Sequence, residues 1–241
     1  MTVGEWYVDL RVDKQTGNLD WAIAGQCLEK GQNPRCLVFT HEIDSNRKFN
    51  ISNPCPFIPQ PNGDELETGT MARPDKPGTP MADYEEVWRY LPIRKSPEGR
   101  RKGVAWVLES DDGDLDEGQY NITKVFMGRI GGTYLVLQQD QTHVRSRKFG
   151  GEWAVKITGG DVSSRLEEWV DDRWVTKYAL GPKSDSLPSM TKGIKGNGQG
   201  LWRVPEKRVL AYGHPYVVRA FDDLGSRDNN GVADLRRVSK L

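Results

Sequence analysis

The sequence predicts an all-β protein built as two antiparallel β-barrels or half-barrels packed together. Three observations carry that expectation. Apolar and polar residues alternate with a period of two through most of the chain, and no long stretch keeps the period of a helix. Glycine and proline, 26 and 14 in 241 residues, divide the alternating runs into short strands joined by turns. The strands fall into two sets on either side of the acidic stretch Asp111 to Glu117, each of the roughly 80–100 residues that an all-β unit commonly occupies. The expected division is therefore 1–112 and 113–241.

The first set opens with Trp6 to Val12, where Trp6, Val8, Leu10 and Val12 share one face and Tyr7, Asp9 and Arg11 the other, the pattern of a half-buried strand. Asp13 to Asn18 supplies turn chemistry, and Leu19 to Gly25 alternates again as the hairpin partner. Arg35 to Asp44 reads as a third strand with Leu37, Phe39, His41 and Ile43 on one face. From Asn46 to Pro80 the chain is rich in Pro, Gly, Asn and Asp and reads as an irregular segment holding two short strands. Asp83 to Leu91 fits both a helix and a strand template; its length, its aromatic content and Pro92 behind it favour the strand. Val104 to Leu108 closes the set.

The second set has the style of a meander. Gln119 to Arg129 and Thr133 to Gln139 flank Gly131-Gly132, a good hairpin signal. Thr142 to Phe149, Glu152 to Ile157, Leu166 to Val170 and Arg173 to Leu180 follow, the last two joined at Asp171-Asp172. After a glycine-rich stretch, Leu201 to Val204 gives a short strand stopped by Pro205, and Pro215 to Phe221 another. The charged tail has enough periodicity at Val232 to Val238 for a short helix.

Composition excludes several classes. With 34 basic and 34 acidic side chains the net charge is zero, so the basic excess of a nucleic-acid binder is missing. No run approaches the roughly 18 apolar residues that span a bilayer, and the N-terminus has no signal-peptide pattern, so a cytoplasmic protein with no membrane contact is expected. Cys27, Cys36 and Cys55, odd in number, suit free thiols. His41, His143 and His214 are isolated, and no metal site is expected. The glycine-rich 193–200 has no strand before it and no Lys-Ser/Thr pair, no Gly-x-Ser-x-Gly is present, and no cofactor is expected.

Several strings in one order resemble a known family. Gly4 to Val12, Leu19 to Gly25, Thr40-His41-Glu42-Ile43-Asp44-Ser45 and Tyr84-Glu85-Glu86-Val87-Trp88 are similar to the fungal Hri family, as are Glu168-Trp169 through Trp174, Leu187-Pro188 and Leu201 to Val204. The resemblance spans Gly4 to Val209 and implies two lipocalin-like barrels in a cytosolic fungal protein; it carries no catalytic residues, and the yeast member is named for interaction with a casein kinase. The chain departs from the family in three places. It starts almost on the Gly4-Trp6-Tyr7 motif, so the first barrel is expected to lack a strand; Ile130 and glycines replace a Trp and a Gln, which opens volume if that position points inward; and His214 to Phe221 extends past the usual end. That extra strand is expected to cover the edge left open in the first barrel, from the same chain or from a second copy in a homodimer.

The eight tryptophans are the largest unspent resource of the composition, and Trp21, Trp88, Trp106, Trp153, Trp169 and Trp174 all fall on expected strands. Core packing explains them simply; an apolar pocket lined by indoles with a few oriented polar groups is the functional alternative. For such a pocket the expected ligand-binding residues are Trp21, Trp88, Tyr90, Trp153, Trp169 and Tyr178, and the expected catalytic ones Glu86, His41 and Arg129. Glu86 shares a face with Trp88 and Tyr90, and a carboxylate inside a barrel needs a partner, for which Arg129 is the natural candidate. The leading expectation is a hydrophobic or aromatic small molecule bound in a lipocalin-like pocket. The alternatives are a cofactor-free cyclase or isomerase, pericyclase-like, of a fungal polyketide or terpenoid pathway, and a protein-interaction scaffold with filled barrels.

Overall fold

A computed structural model describes residues 1–49, 54–72, 76–99, 103–148, 150–192, 194, 202–209 and 214–225. Among them the chain is all-β, with two single-turn 3₁₀ segments at Ser184–Ser186 and Met190–Lys192. The first sheet holds β1 (Thr2–Val3), β2 (Trp6–Val12), β3 (Leu19–Gln32), β4 (Arg35–Phe39), β5 (Ile43–Asp44), β6 (Cys55–Pro59), β7 (Glu65–Ala72) and β8 (Met81–Trp88). Their order is β1-β2-β3-β4-β6-β7-β8, with β5 against β3. The second sheet holds β9 (Val104–Ser110), β10 (Gly118–Ile130), β11 (Thr133–Arg147), β12 (Trp153–Val170), β13 (Arg173–Leu180), β14 (Glu206–Val209) and β15 (Pro215–Asp223), in the order β13-β12-β11-β10-β9-β15-β14. All pairings are antiparallel.

The expected closed barrels are not formed: among the described residues no ladder joins the two ends of either sheet. The turns follow the sequence closely. Ile130 pairs with Thr133 across Gly131-Gly132, where Gly131 takes the left-handed φ of 53° that such a two-residue turn requires. Asp171 and Asp172 both adopt positive φ, 48° and 55°, at the β12–β13 turn, conformations that aspartate tolerates better than most side chains. Several expected strands run together: β11 passes Asp140 with a bulge, and β12 covers both Glu152–Ile157 and Leu166–Val170. The third expected strand instead breaks in two, because β3 is long enough to pair with β4 through Cys27–Gln32 and with β5 through Ile23–Ala24.

The sheets pack face to face. Val8, Ala22, Ala24 and Ile43 of the first meet Val107, Phe126, Leu137 and Leu166 of the second in one apolar cluster. The outer face of the second sheet is filled as well: Trp106, Met127, Tyr134 and Val218 pack under Leu187, Met190, Ile194 and Trp202. Leu37, Phe57 and Trp88 make a smaller cluster on the outer face of the first sheet. No described helix is long and apolar enough to cross a membrane.

The strand pairings and the packing correct several expectations. Val104 to Leu108 belongs to the second sheet, since β9 pairs with β10 and β15, so the sheets divide between Trp88 and Val104 rather than at 112. The C-terminal strand does not pair with the first sheet; its Tyr216 and Val218 side chains are drawn into the outer core of the second, Ala220 joins the cluster between the sheets, and Tyr216–Val218 is paired on both sides, by β14 and by β9. Ile130 packs in the apolar cluster between the sheets. Leu201–Val204 makes no strand at its described residues 202–204, where Trp202 is core; the expected helix at 232–238 and the glycine-rich stretch 195–200 lie outside the described residues.

Because Tyr216, Val217 and Val218 are buried, at about 2 kcal/mol each, a chain ending at Val209 is expected to melt more than about 10 °C below the full chain. An unchanged melting temperature by calorimetry would contradict the interior position of β15.

Candidate functional site

The polar face of β2 is not a solvent face. Tyr7, Asp9 and Arg11 are all buried, and with β7, β8 and Trp21 they line a cavity of about 350 Å³ on the outer side of the first sheet. Period-two geometry presents Tyr84, Glu86 and Trp88 of β8, and Glu67, Gly69 and Met71 of β7, to the same space. The cavity reaches the surface beside Thr70 and Met81, the latter 62% exposed. Polar depressions also lie on the second sheet beside Lys183, with little apolar wall.

Arg11 is the electrostatic hub. Its Nε donates to Asp9 Oδ2 at 3.0 Å, its Nη1 to Glu86 Oε1, and its guanidinium lies 4.7 Å from the Trp21 ring centre. Burial works against its charge, but Asp9 and Glu86 outweigh burial and raise its pKa above the ordinary value. The pair Arg11–Glu86 joins β2 to β8, five strands apart in the sheet order, so the sheet must curl for them to meet.

Glu67 stands directly opposite Glu86 across the β7–β8 ladder. Its Oε1 accepts from the Tyr84 hydroxyl and its Oε2 from Trp88 Nε1, both at 2.7 Å. Burial, and then the Glu86 charge, push its carboxyl above the ordinary range despite those donors. Gly69 faces Tyr84 in the ladder, and the phenol ring lies across it; a Cβ there would stand 2.7 Å from the ring, so any larger residue would displace the phenol from Glu67. Cys55 Sγ lies 3.2 Å from the Tyr84 oxygen, and burial holds its thiol up at about 11, too high for a nucleophilic thiolate at neutral pH.

His41 is set differently. It follows β4 at the break in the expected third strand, and its Nδ1 lies 2.6 Å from Oδ2 of the fully buried Asp44. Asp44 Oδ1 accepts from Trp21 Nε1 at 3.1 Å and from the Asn46 amide at 2.6 Å. Gln139 of the second sheet clamps the Asp44 backbone, donating to its carbonyl at 2.9 Å and accepting from its amide at 3.2 Å. The imidazole lines the cavity, and its Nε2 has no partner among the described residues. With Nδ1 held against the Asp44 carboxylate, Nε2 is the ring nitrogen left to a bound molecule.

This chain matches the family described as Protein HRI1 over residues 1–199. It belongs to the HRI1 family. A crystal structure of an uncharacterized protein from Saccharomyces cerevisiae, YLR301w, is similar in fold, with a TM-score of 0.59 at 13% identity, covering 91% of this chain and 89% of that one. No curated relative matches. Family membership and fold are thereby settled, and the site must be read from its own residues.

Of the expected site residues, Glu86, His41, Trp21 and Trp88 converge on the cavity. Arg129 does not. It is buried in the second sheet, with Nη2 on both oxygens of Glu98 at 2.9 and 2.8 Å and its guanidinium 5.4 Å from the Trp174 ring, and Arg11 takes its expected place beside Glu86. Tyr90 lies just beyond β8, exposed, donating to Glu65. Trp153 is an exposed indole sandwiched between Arg145 and Arg147, each 4.7 Å from its centre. Trp169 packs edge-on against Trp174, and Tyr178 against the intersheet core. The residues missed from sequence are Asp9, Arg11, Asp44, Glu67 and Tyr84. Asp9 and Arg11 were visible as a charged pair on one strand face, whereas Glu67 lay in the stretch read as irregular.

The raised Glu67 carboxyl has a thermodynamic sign. A folded-state pKa above the unfolded value stabilises the fold below the ordinary glutamate value of 4.5 relative to higher pH, and that increment is lost as pH rises through the raised value. The melting temperature of the native chain minus that of Glu67→Gln is therefore expected to fall as pH rises above 4.5. A difference that is flat or that rises with pH would contradict the burial of an ionisable Glu67.

Proposed function

We propose that the cavity of the first sheet binds a small molecule with an apolar, aromatic-sized body. The observation that carries this reading is the contrast between the outer faces of the two sheets. Trp106, Tyr134 and Trp202 fill one, whereas on the other Trp21, Phe39, Tyr84 and Trp88 surround about 350 Å³ of space. That volume lies in the range of about 300–1,000 Å³ typical of small-molecule sites, and the wall has their usual make-up, mostly apolar with a few oriented polar groups. Burying an aromatic body there gains roughly 25 cal/mol for each Å² of apolar surface removed from water. A curled antiparallel sheet enclosing its ligand on one face is a lipocalin-like use of the fold.

Met71 shares the inner face of β7 with Glu67 and Gly69, near the mouth. Met71→Trp is expected to fill the entrance and weaken binding of N-phenylnaphthylamine, an uncharged dye that fluoresces in apolar surroundings, by about tenfold or more. Saturable binding with unaltered affinity in that variant, or no saturable binding to the native chain, would refute the reading.

The His41–Asp44 pair supports a second reading, a cofactor-free isomerase or cyclase that moves a proton on the bound molecule. An imidazole oriented by a buried carboxylate and facing an apolar cavity is the arrangement of a general base, worth about 10²–10⁴ in rate. The ring opening of nitrobenzisoxazole, a flat aromatic substrate that reacts by loss of one proton, tests it. The native chain is expected to exceed free imidazole at equal concentration and His41→Phe to lose that excess; a native rate no greater than imidazole would contradict the reading.

A further inference from the structure

The inner wall carries more negative charge than its neighbours neutralise. Glu67 and Glu86 are direct cross-strand partners on the cavity face, a placement that costs stability when both are charged. Asp9 adds a third carboxylate to the same wall. Against these three stands the guanidinium of Arg11, already divided between Asp9 and Glu86 and covered on one face by Trp21. The other cations of the wall are placed less favourably. Lys48 is partly exposed, where water screens it, and the Met1 amino group donates to the Val8 carbonyl at 3.0 Å. Glu86 Oε2 has no partner among the described residues although the side chain is only 10% exposed.

We infer that the ligand carries a protonated amine on its apolar body and that this amine sits between Glu67 and Glu86; the inference rests on the binding reading above. An ammonium group has three donors, enough to reach Glu86 Oε2 together with the lone pair of Glu67 that Tyr84, Trp88 and Cys55 leave over. Its charge offsets the burial and the Glu86 repulsion that together raise the Glu67 carboxyl. The aromatic wall suits the same ligand. Phe39 and Trp88 lie parallel with centroids 6.0 Å apart and an interplanar angle of 10°, and Tyr84 flanks Glu67, so the apolar body that carries the amine has rings to pack against beside the carboxylates. A carboxylate ligand would face three like charges for one shared guanidinium. Among the described residues no three histidine, cysteine or acidic side chains converge as metal ligands, so an organic cation is the class that fits.

Three probes with one aromatic body separate this inference from the reading beneath it: naphthylmethylamine, naphthylmethanol and naphthylacetate, titrated calorimetrically into the full chain at neutral pH. The amine is expected to bind about tenfold or more tighter than the alcohol, and the acetate more weakly than the alcohol. In Glu86→Gln and in Glu67→Gln the ratio of amine to alcohol affinity should shrink several-fold; the native-chain ranking stands without either variant should one fail to fold. An alcohol that binds as tightly as the amine, or an acetate that binds more tightly, overturns the inference and leaves an apolar site. Failure of all three to bind overturns both.

Discussion

One guanidinium shapes the first sheet. Hydrogen bonds order its strands but leave the two ends unjoined, and Arg11, reaching from β2 to Glu86 on β8, supplies a side-chain link across the open side. The link is buried and so depends on complete pairing: Asp9 and Glu86 are 7% and 10% exposed, and Arg11 itself 7%. Removing one member of such a group leaves an uncompensated buried charge, at a cost of about 3–5 kcal/mol. Everything attributed to the cavity follows from this link, because it holds the faces of β2, β7 and β8 around one space. The opposite face of β2 has an unrelated task, packing Trp6, Val8 and Leu10 against the second sheet.

The two sheets share a strand grammar and differ in what covers them. On the second, the chain after β13 folds back and seats Leu187, Met190 and Trp202 on the outer face, where Trp202 meets Trp106 at 5.6 Å. Among the described residues the first sheet has no such cover, and space remains between its aromatic walls. The polar groups of that space are tied to the fold at two depths. Arg11, Glu67 and Glu86 are held within the first sheet, whereas His41 is positioned through Asp44, whose backbone Gln139 grips from the second. The packing of the two sheets thus reaches the wall of the cavity through buried amide side chains, Gln139 on Asp44 and Gln141 on the Glu42 carbonyl.

Much of the architecture was legible in the sequence because hairpins are local. The β2–β3, β10–β11 and β12–β13 pairs follow from alternation and from turn residues within a few positions of each other. The site was legible in part: Trp21, His41, Glu86 and Trp88 were singled out and do converge. What alternation could not reveal is that both faces of β2 are covered. A strand with apolar residues on one side and Asp9 and Arg11 on the other reads as half-solvated, and burial of the charged side depends on a sheet curling through contacts some 75 residues apart in the chain. The same non-locality explains Arg129, a plausible partner for Glu86 by residue type that the topology places in the other sheet beside Glu98. Filling of one outer face by Trp202 likewise depends on a loop whose return path leaves no periodic mark.

The central claim is that a small molecule enters the first sheet and leaves the second sheet's filled face untouched. The eight indole N–H groups report on this directly. In a proton–nitrogen correlation spectrum recorded while naphthylmethanol is added, the signals of Trp21 and Trp88 are expected to move together and to saturate, with Trp106 and Trp202 fixed. Saturating shifts at Trp106 and Trp202, or drift confined to the exposed Trp153, would contradict it.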